Sequence, residues 1–399
     1  MPPSPPAGGV EAFRRELREW LEAHAPAALR GTWKGVFSGT WGGRRRDRTE
    51  SADERAWREA MGSRGYTAPT WPTEYGGGGL DRARAQVLTE ELRRLGMPAP
   101  LVGFGLVMVG PTLLEFGSEA QKQQHLPPIV RGEIRWCQGY SEPGAGSDLA
   151  GLRTSATLDG GDWVVTGHKV WTSYADLSDW IFCLARTNPQ AKKQAGISFL
   201  LIDMDQPAIR TEPIRLISGA SPFCEVFLDG ARTPRDQVVG GVDAGWTVAK
   251  TLLQHERATL GQAFAGSVTG DEGDLVALAR RAAGGGDGPL ADGLHRDAIA
   301  RIAMDERAFL LLARDMARSG RPGAESSALK VFGTELNQRR LELGVELAGP
   351  DALGWEGPGF DAADLARTRD WLRSRGNSIE GGTTEVQLGI LARQVLGLP

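Results

Sequence analysis

The stretch Trp136-Cys-Gln-Gly-Tyr-Ser-Glu-Pro-Gly-Ala-Gly-Ser-Asp148 decides how the rest of this chain is interpreted. It combines hydroxyl and aromatic side chains with three glycines, and the strand-like Trp163-Val-Val-Thr-Gly-His-Lys-Val-Trp-Thr-Ser173 follows it. A Gly-Ser cluster alone is usually a turn. Here the cluster lies between Tyr140 and Trp171, and small residues let backbone N–H groups approach a phosphate or carbonyl. Together the two segments predict a wall that holds a flat polar cofactor.

Hydrophobic periodicity predicts helices on both sides of this wall. Apolar residues at spacings of three and four indicate helices over residues 10–25, 52–64, 81–96 and 104–117, and the same period resumes after Gly245. Between them, short β-branched or aromatic runs bounded by Gly, Asp, Asn and Pro predict at least six strands. These runs are Trp136–Tyr140, Thr154–Leu158, Trp163–Val165, Trp180–Ala185, Ile197–Asp203 and Cys224–Leu228.

The order of these elements predicts a three-part, mainly α chain with a central β domain, an α+β class. We expect an N-terminal helical domain over residues 1–133 and a β-barrel-like middle domain over residues 134–240. A C-terminal four-helix bundle is expected over residues 241–399. The chain has no GxGxxG after a strand and no GxxxxGK[ST], so a Rossmann or P-loop nucleotide site is not expected.

Composition excludes several classes of partner and site. The formal net charge of -4 argues against nucleic acid, which selects basic surfaces. Three cysteines without CxxC spacing argue against a disulfide scaffold or a zinc site and suit a reducing cytoplasm. No run approaches the roughly 18 apolar residues of a membrane span. Residues 1–9 lack a basic region followed by an apolar run, so we expect a disordered leader and no signal peptide.

Several motifs in this order resemble the acyl-CoA dehydrogenase family. They are the run Cys137-Gln-Gly-Tyr-Ser-Glu-Pro-Gly-Ala-Gly-Ser-Asp148, the element Lys169-Val-Trp-Thr-Ser173 and the C-terminal Gly381-Gly-Thr-Thr-Glu-Val-Gln387. The resemblance covers nearly the whole chain and is weakest before residue 60 and between residues 270 and 300. It implies a flavoprotein oxidoreductase of fatty acid metabolism that holds FAD and an acyl-CoA and passes electrons to an electron-transfer flavoprotein.

The resemblance also implies which residues line the cofactor. The expected flavin contacts in the β domain are Gln138, Tyr140, Ser141, Gly146, Ser147, Trp171 and Ser173. Ser147 would also lie along the substrate, and Thr383 and Glu385 would face the flavin phosphate or adenine. For Trp171 the alternative is a core aromatic, because a buried tryptophan stabilises any core.

The resemblance implies that the general base is displaced from the usual family position. Aligning Gly-Thr on Gly382-Thr383 places Gly381 where the usual glutamate stands, and leaves Glu380 as an alternative base one residue earlier. Isovaleryl-CoA and long-chain members carry the glutamate on an earlier helix in a Leu-x-x-Glu-Arg context, which here is Leu253-Gln-His-Glu-Arg257. We therefore predict Glu256 as the base that removes the α-proton. The base must stand on the side of the substrate opposite the flavin.

The same resemblance implies roles for Arg257 and Gly381. Arg257 would shape the substrate pocket, or form an ion pair on the helix surface. The backbone N–H of Gly381 would hydrogen-bond the thioester carbonyl and stabilise the developing enolate.

Departures from the family leave the assembly and the chemistry open. The family's Arg-x-x-Phe-Gly run is replaced near residue 280, and Glu346 stands in the segment that usually reads Gln-x-x-Gly-Gly. We expect a homo-oligomer, a dimer or tetramer, or a heteromer whose related subunit completes the cofactor site. The alternatives are a flavin monooxygenase or nitroalkane-oxidase-like enzyme on the same fold, and an inactive acyl-CoA-binding subunit.

Overall fold

The computed structural model describes residues 9–33, 38–44, 50–253, 272–283, 290, 292–319 and 323–399. Its chain divides into two compact units. The first unit contains Met1–Ile214 and Pro222–Leu252, and the second contains Arg215–Ser221 and Leu253–Pro399.

The first unit begins with helices that bury one apolar face each. They are α1 (Val10–His24), α2 (Ala52–Ser63), α3 (Arg82–Arg94), α4 (Gly110–Phe116) and α5 (Glu119–Val130). On α1 the buried residues Phe13, Leu17 and Leu21 recur every four positions, which places them on one face. Capping boxes at Ser51 and Ser118 fix the starts of α2 and α5, because each hydroxyl accepts a backbone N–H three residues on.

An eight-stranded mixed sheet follows these helices in the same unit. Its strands are β1 (Trp136–Gly139), β2 (Ser155–Asp159), β3 (Asp162–Ser173), β4 (Trp180–Arg186), β5 (Ile197–Asp203), β6 (Ile209–Ile214), β7 (Phe223–Pro234) and β8 (Val238–Val239). The strand order is β6-β7-β3-β2-β4-β5-β8, with β1 parallel to β4. Strand β4 is apolar along most of its length and is buried at the centre of the sheet. A final helix, α6, starts at residue 245 and is described to residue 253.

The second unit is helical. It contains α7 (Glu272–Ala282), α8 (Gly293–Ser319), α9 (Ser326–Ala348), α10 (Ala362–Ser374) and α11 (Thr384–Ile390). Helix α9 contacts each of the other four helices and is therefore the central element of this unit. Its core residues include Leu336, Leu343 and Leu347, which pack with Phe309 of α8.

The predicted fold class is confirmed, with helices first, a β-sheet in the centre and helices at the C-terminal end. Three elements were missed: helix α5, strand β6 and the two-residue strand β8. Helix α5 contains Pro127 and Pro128 and carries little amphipathic signal, while its capping box at Ser118 was the usable clue. Strand β6 is a largely exposed edge strand with charged residues, so it lacks an apolar run. The boundaries at residues 133 and 240 stay predictions.

Within the described residues, no helix is long and apolar enough to cross a membrane.

Candidate functional site

A buried ion pair fastens the glycine-rich loop that follows β1 to strand β3. Lys169 of β3 is fully buried, and its Nζ donates to Oε1 of Glu142 over 2.9 Å and to the Tyr140 carbonyl over 3.1 Å. Glu142 is only 8% exposed, and it also accepts the backbone N–H groups of Arg153 and Thr154 over 2.7 and 2.9 Å. A buried carboxylate needs such partners, so this network fixes where the loop runs.

The same network controls the ionisation of Glu142. Burial acts to raise the pKa of this carboxyl, but the Lys169 ammonium and the hydrogen bonds that Glu142 accepts outweigh it. The pKa therefore lies below its ordinary value. Glu142 is therefore an anion at neutral pH, where it anchors the loop.

A β-bulge in β3 turns Trp171 out of the sheet. The register of β3 against β7 shifts between Lys169 and Thr172, and Trp171 has a φ of 61°. Left-handed backbone is costly for a large side chain and is held only where the surroundings impose it. The Trp171 side chain is 55% exposed and contacts the ring of Phe223 edge-on at 6.0 Å. Trp171 is therefore not a core aromatic.

The loop and the bulge meet at one hydrogen bond. The Val170 N–H donates to the Ser141 carbonyl over 2.9 Å, which places Ser141 beside the residue that precedes Trp171. Ser173, at the end of β3, pairs with Phe223 of β7. The first unit thus brings Ser141, Trp171 and Ser173 to the same end of β3.

The other predicted contacts in this loop divide into buried and exposed positions. Gln138 is half-buried in β1 opposite Phe182. Tyr140 is buried, with its ring edge-on to Phe182 and Phe199. Gly146 and Ser147 are exposed, and no atom would lie within 4 Å of a Cβ added to Gly146. The open backbone at Gly146 leaves room for a ligand to approach.

In the second unit, Glu380 is bound on both carboxylate oxygens. Arg373 Nη2 donates to Oε2 over 2.7 Å, and Asn377 Nδ2 donates to Oε1 over 2.6 Å. Asn337 of α9 in turn donates to Asn377 Oδ1 over 2.9 Å. The alternative base is thus part of a hydrogen-bonded network that ties the turn before α11 to α9.

Two consecutive glycines form the turn that enters α11. Gly381 and Gly382 have φ values of 64° and 90°, a region that favours glycine. Gln387 Nε2 donates to the Gly381 carbonyl over 2.9 Å, and Thr383 caps α11 by accepting the Val386 N–H over 3.3 Å. Among the described residues, the Gly381 N–H finds no acceptor. That donor is available to a ligand.

The predicted contact Glu385 is exposed in the first turn of α11. Its own backbone N–H and the Thr383 hydroxyl lower its pKa, and Lys330 contributes by charge. Thr384 Oγ1 and Gln387 Oε1 are buried and, within the described part of the chain, have no hydrogen-bond partner. Such orphaned polar atoms fit a segment that holds a polar cofactor.

The predicted base Glu256 and its neighbour Arg257 lie outside the described residues. The described part of α6 buries Val248, Ala249 and Leu252. Sequence reasoning missed the Glu142–Lys169 pair, although both residues stand in the quoted segments. The available signal was Lys169 itself, a lysine inside a strand whose neighbours read as apolar or aromatic.

Comparison with known proteins identifies the family. Residues 40–133, 137–231 and 243–396 match the N-terminal, middle and C-terminal domains of acyl-CoA dehydrogenases. The acyl-CoA dehydrogenase IpdE1 of Mycobacterium tuberculosis is 38% identical over 395 residues, which cover 98% of each chain.

Solved structures agree with these matches. The Tcur3481-Tcur3483 steroid ACAD has a TM-score of 0.77 and 31% identity and covers 99% of each chain. The ChsE4-ChsE5 complex from Mycobacterium tuberculosis has a TM-score of 0.75 and 30% identity, covering 100% of this chain and 99% of that one. On sequence and structure alike, the chain belongs to the acyl-CoA dehydrogenase family.

Proposed function

We propose that this acyl-CoA dehydrogenase binds FAD and removes the α-proton and β-hydride of a ring-bearing acyl-CoA thioester. Members of the family are flavoproteins, and the observation that carries the proposal is the exposed Trp171 on its bulge beside Ser141. A strained, exposed tryptophan stabilises no core. Its geometry suits a residue that covers a planar ligand.

The residues of this chain would divide the work between binding and proton transfer. Gln138, Tyr140, Ser141, Trp171 and Ser173 would hold the ring end of the cofactor, while Gly146 and Ser147 would line the pyrophosphate and pantetheine. Bound flavin would supply the hydride acceptor. Thr383 would hold its far end, and Glu385 would face the flavin phosphate or adenine there.

The base that we propose is Glu256. Support comes from Glu380, whose two oxygens already accept hydrogen bonds from Arg373 and Asn377, so proton abstraction by Glu380 would require that network to open. A carboxylate at Glu256 would take the α-proton. The free Gly381 N–H would donate to the thioester carbonyl and stabilise the charge that develops on its oxygen.

The substrate class and the electron acceptor are inferred from relatives and from the family. The steroid ACAD shares 31% identity with this chain over nearly the full length, which supports a bulky, ring-bearing acyl group. The family resemblance supports an electron-transfer flavoprotein as the acceptor of electrons. A panel of different acyl-CoA substrates tests the type of acyl chain directly.

The test is anaerobic bleaching of the flavin by short, long, branched and ring-bearing acyl-CoAs. We expect bleaching by ring-bearing thioesters, and Glu256→Gln should keep the flavin absorbance but lower the bleaching rate by at least about a hundredfold. Glu380→Gln serves as the matched control and should retain most of the rate. Unchanged bleaching in Glu256→Gln would rule out the base, and rapid oxygen consumption with a hydroxylated product would rule out dehydrogenation.

A further inference from the structure

Helix α9 buries one lysine in the second unit. Lys330 is 1% exposed, and no acceptor among the described residues lies within hydrogen-bonding distance of its Nζ. It is the only lysine between residues 251 and 399, where the other basic side chains are arginine or histidine. A buried ammonium without an acceptor is costly, so its position calls for a partner.

Lys330 belongs to a polar stripe on α9. Ser327, Lys330, Thr334 and Asn337 follow one another at spacings of three and four, which places them on one face. Asn337 reaches Asn377, and the neighbouring Gln338 donates to the Ser374 carbonyl over 2.9 Å. This stripe therefore faces the segment that carries the Gly381–Gly382 turn.

Two of the three carboxylates that act on Lys330 lie at that turn or in the first turn of α11. Burial lowers the pKa of Lys330, while the carboxylates of Glu380, Glu385 and the exposed Glu335 of α9 itself oppose that effect. Glu380 has a second cation in Arg373. Lys330 is the basic side chain in the described part of the chain whose charge lowers the pKa of Glu385.

Helix α11 presents unpaired polar atoms in the same region. Thr384 Oγ1 and Gln387 Oε1 lie three residues apart, on one face of a helix that packs against α9. Neither has a hydrogen-bond partner among the described residues. Polar groups of this kind are normally satisfied by water or a ligand.

We propose that Lys330 is a positioning residue for the cofactor. Its buried ammonium acts through Glu385 and Glu380 and offsets their negative charge, so that an anionic dinucleotide can bind at the Gly381–Thr383 turn. Two carboxylates would otherwise repel a diphosphate. This inference rests on the proposed function, because FAD is the dinucleotide expected there.

The test measures the FAD dissociation constant of the full chain, purified with any subunits that accompany it. Lys330→Met should weaken FAD binding about tenfold, the size expected for one charge at intermediate dielectric. Lys330→Met combined with Glu385→Gln should return the affinity to within about twofold of wild type, because the unbalanced charge is gone. Lys192→Met removes an exposed lysine and serves as the control with wild-type affinity.

Restoration by the second substitution separates an electrostatic role from a purely structural one. A folded Lys330→Met protein with wild-type affinity, or a double variant as weak as Lys330→Met, would overturn the proposal. If Lys330→Met fails to fold, Glu385→Gln alone decides, since it should tighten FAD binding severalfold. An unchanged or weaker affinity in that variant overturns the proposal.

The proposed function can fail separately. If wild-type protein binds FAD and Lys330→Met weakens that binding as expected, but no acyl-CoA reduces the flavin, dehydrogenation alone is contradicted. Wild-type protein that binds no FAD would contradict both.

Discussion

At the scale of single residues, the most informative position is Trp171. It combines a left-handed backbone with a mostly exposed indole in an otherwise ordinary strand. Neither feature stabilises the folded chain. The left-handed backbone and the exposed indole are both unfavourable, so we infer that Trp171 serves a ligand that packs against its ring.

We expect Trp171→Gly to be more stable than Trp171→Ala by about 1 kcal/mol, because alanine keeps the left-handed penalty and glycine does not. Both variants lose the ring, so the comparison isolates the backbone. Urea unfolding measures the difference, and both should bind FAD more weakly than wild type. Equal stability of the two variants would show that the bulge relaxes on substitution.

At the scale of elements, the loop after β1 is held to β3 by Glu142 and Lys169. We expect Lys169→Met to cost about 3–5 kcal/mol of unfolding free energy, because Glu142 would remain buried without its cation. Adding Glu142→Gln should recover part of that loss. Denaturant unfolding of the two variants checks this, and a cost below about 1 kcal/mol would mean that water replaces the lysine.

The same pair predicts how stability depends on pH. The pKa of Glu142 is lowered in the folded protein, so its stabilising contribution is complete above the unfolded value of about 4.3. It is lost as the pH falls through the lowered folded value. Glu142→Gln should therefore show a shallower loss of stability in acid than wild type, and identical acid profiles would contradict the assignment.

At the scale of the whole molecule, we propose that, of the homo-oligomer and the heteromer expected from the sequence, the assembly is the heteromer with a related second subunit. Two of the similar structures are named for two chains each. The cofactor segments near residue 280 and at Glu346 depart from the family pattern. Both observations favour a heteromer in which the partner completes the FAD site.

We expect the tagged chain, purified from its native host, to carry a second acyl-CoA dehydrogenase chain in equal amount. Native mass spectrometry with flavin quantification checks both the stoichiometry and the FAD content. A homo-oligomer with one FAD per chain would contradict this expectation and would show that the altered segments are sufficient.

The sequence by itself determined the class of the fold and the family. Along the chain, the spacing of apolar residues changes from the helical period to strand alternation and back. The motifs around Ser141, Trp171 and Thr383 occur in the same order as in the family. These signals are local, so they can be read without coordinates. Edge strand β6 and the proline-containing helix α5 were not predicted, because neither has a strong hydrophobic periodicity of its own.

Only the tertiary structure decided which polar groups meet. Glu142 and Lys169 are 27 residues apart in the chain, and their pairing depends on how the loop returns to β3. The bulge that exposes Trp171 depends on the register of β3 against β7. Asn377, which donates to Glu380, in turn accepts a hydrogen bond from Asn337, 40 residues away in the chain. Long-range pairing and register are set by packing, and no local pattern of residues encodes them.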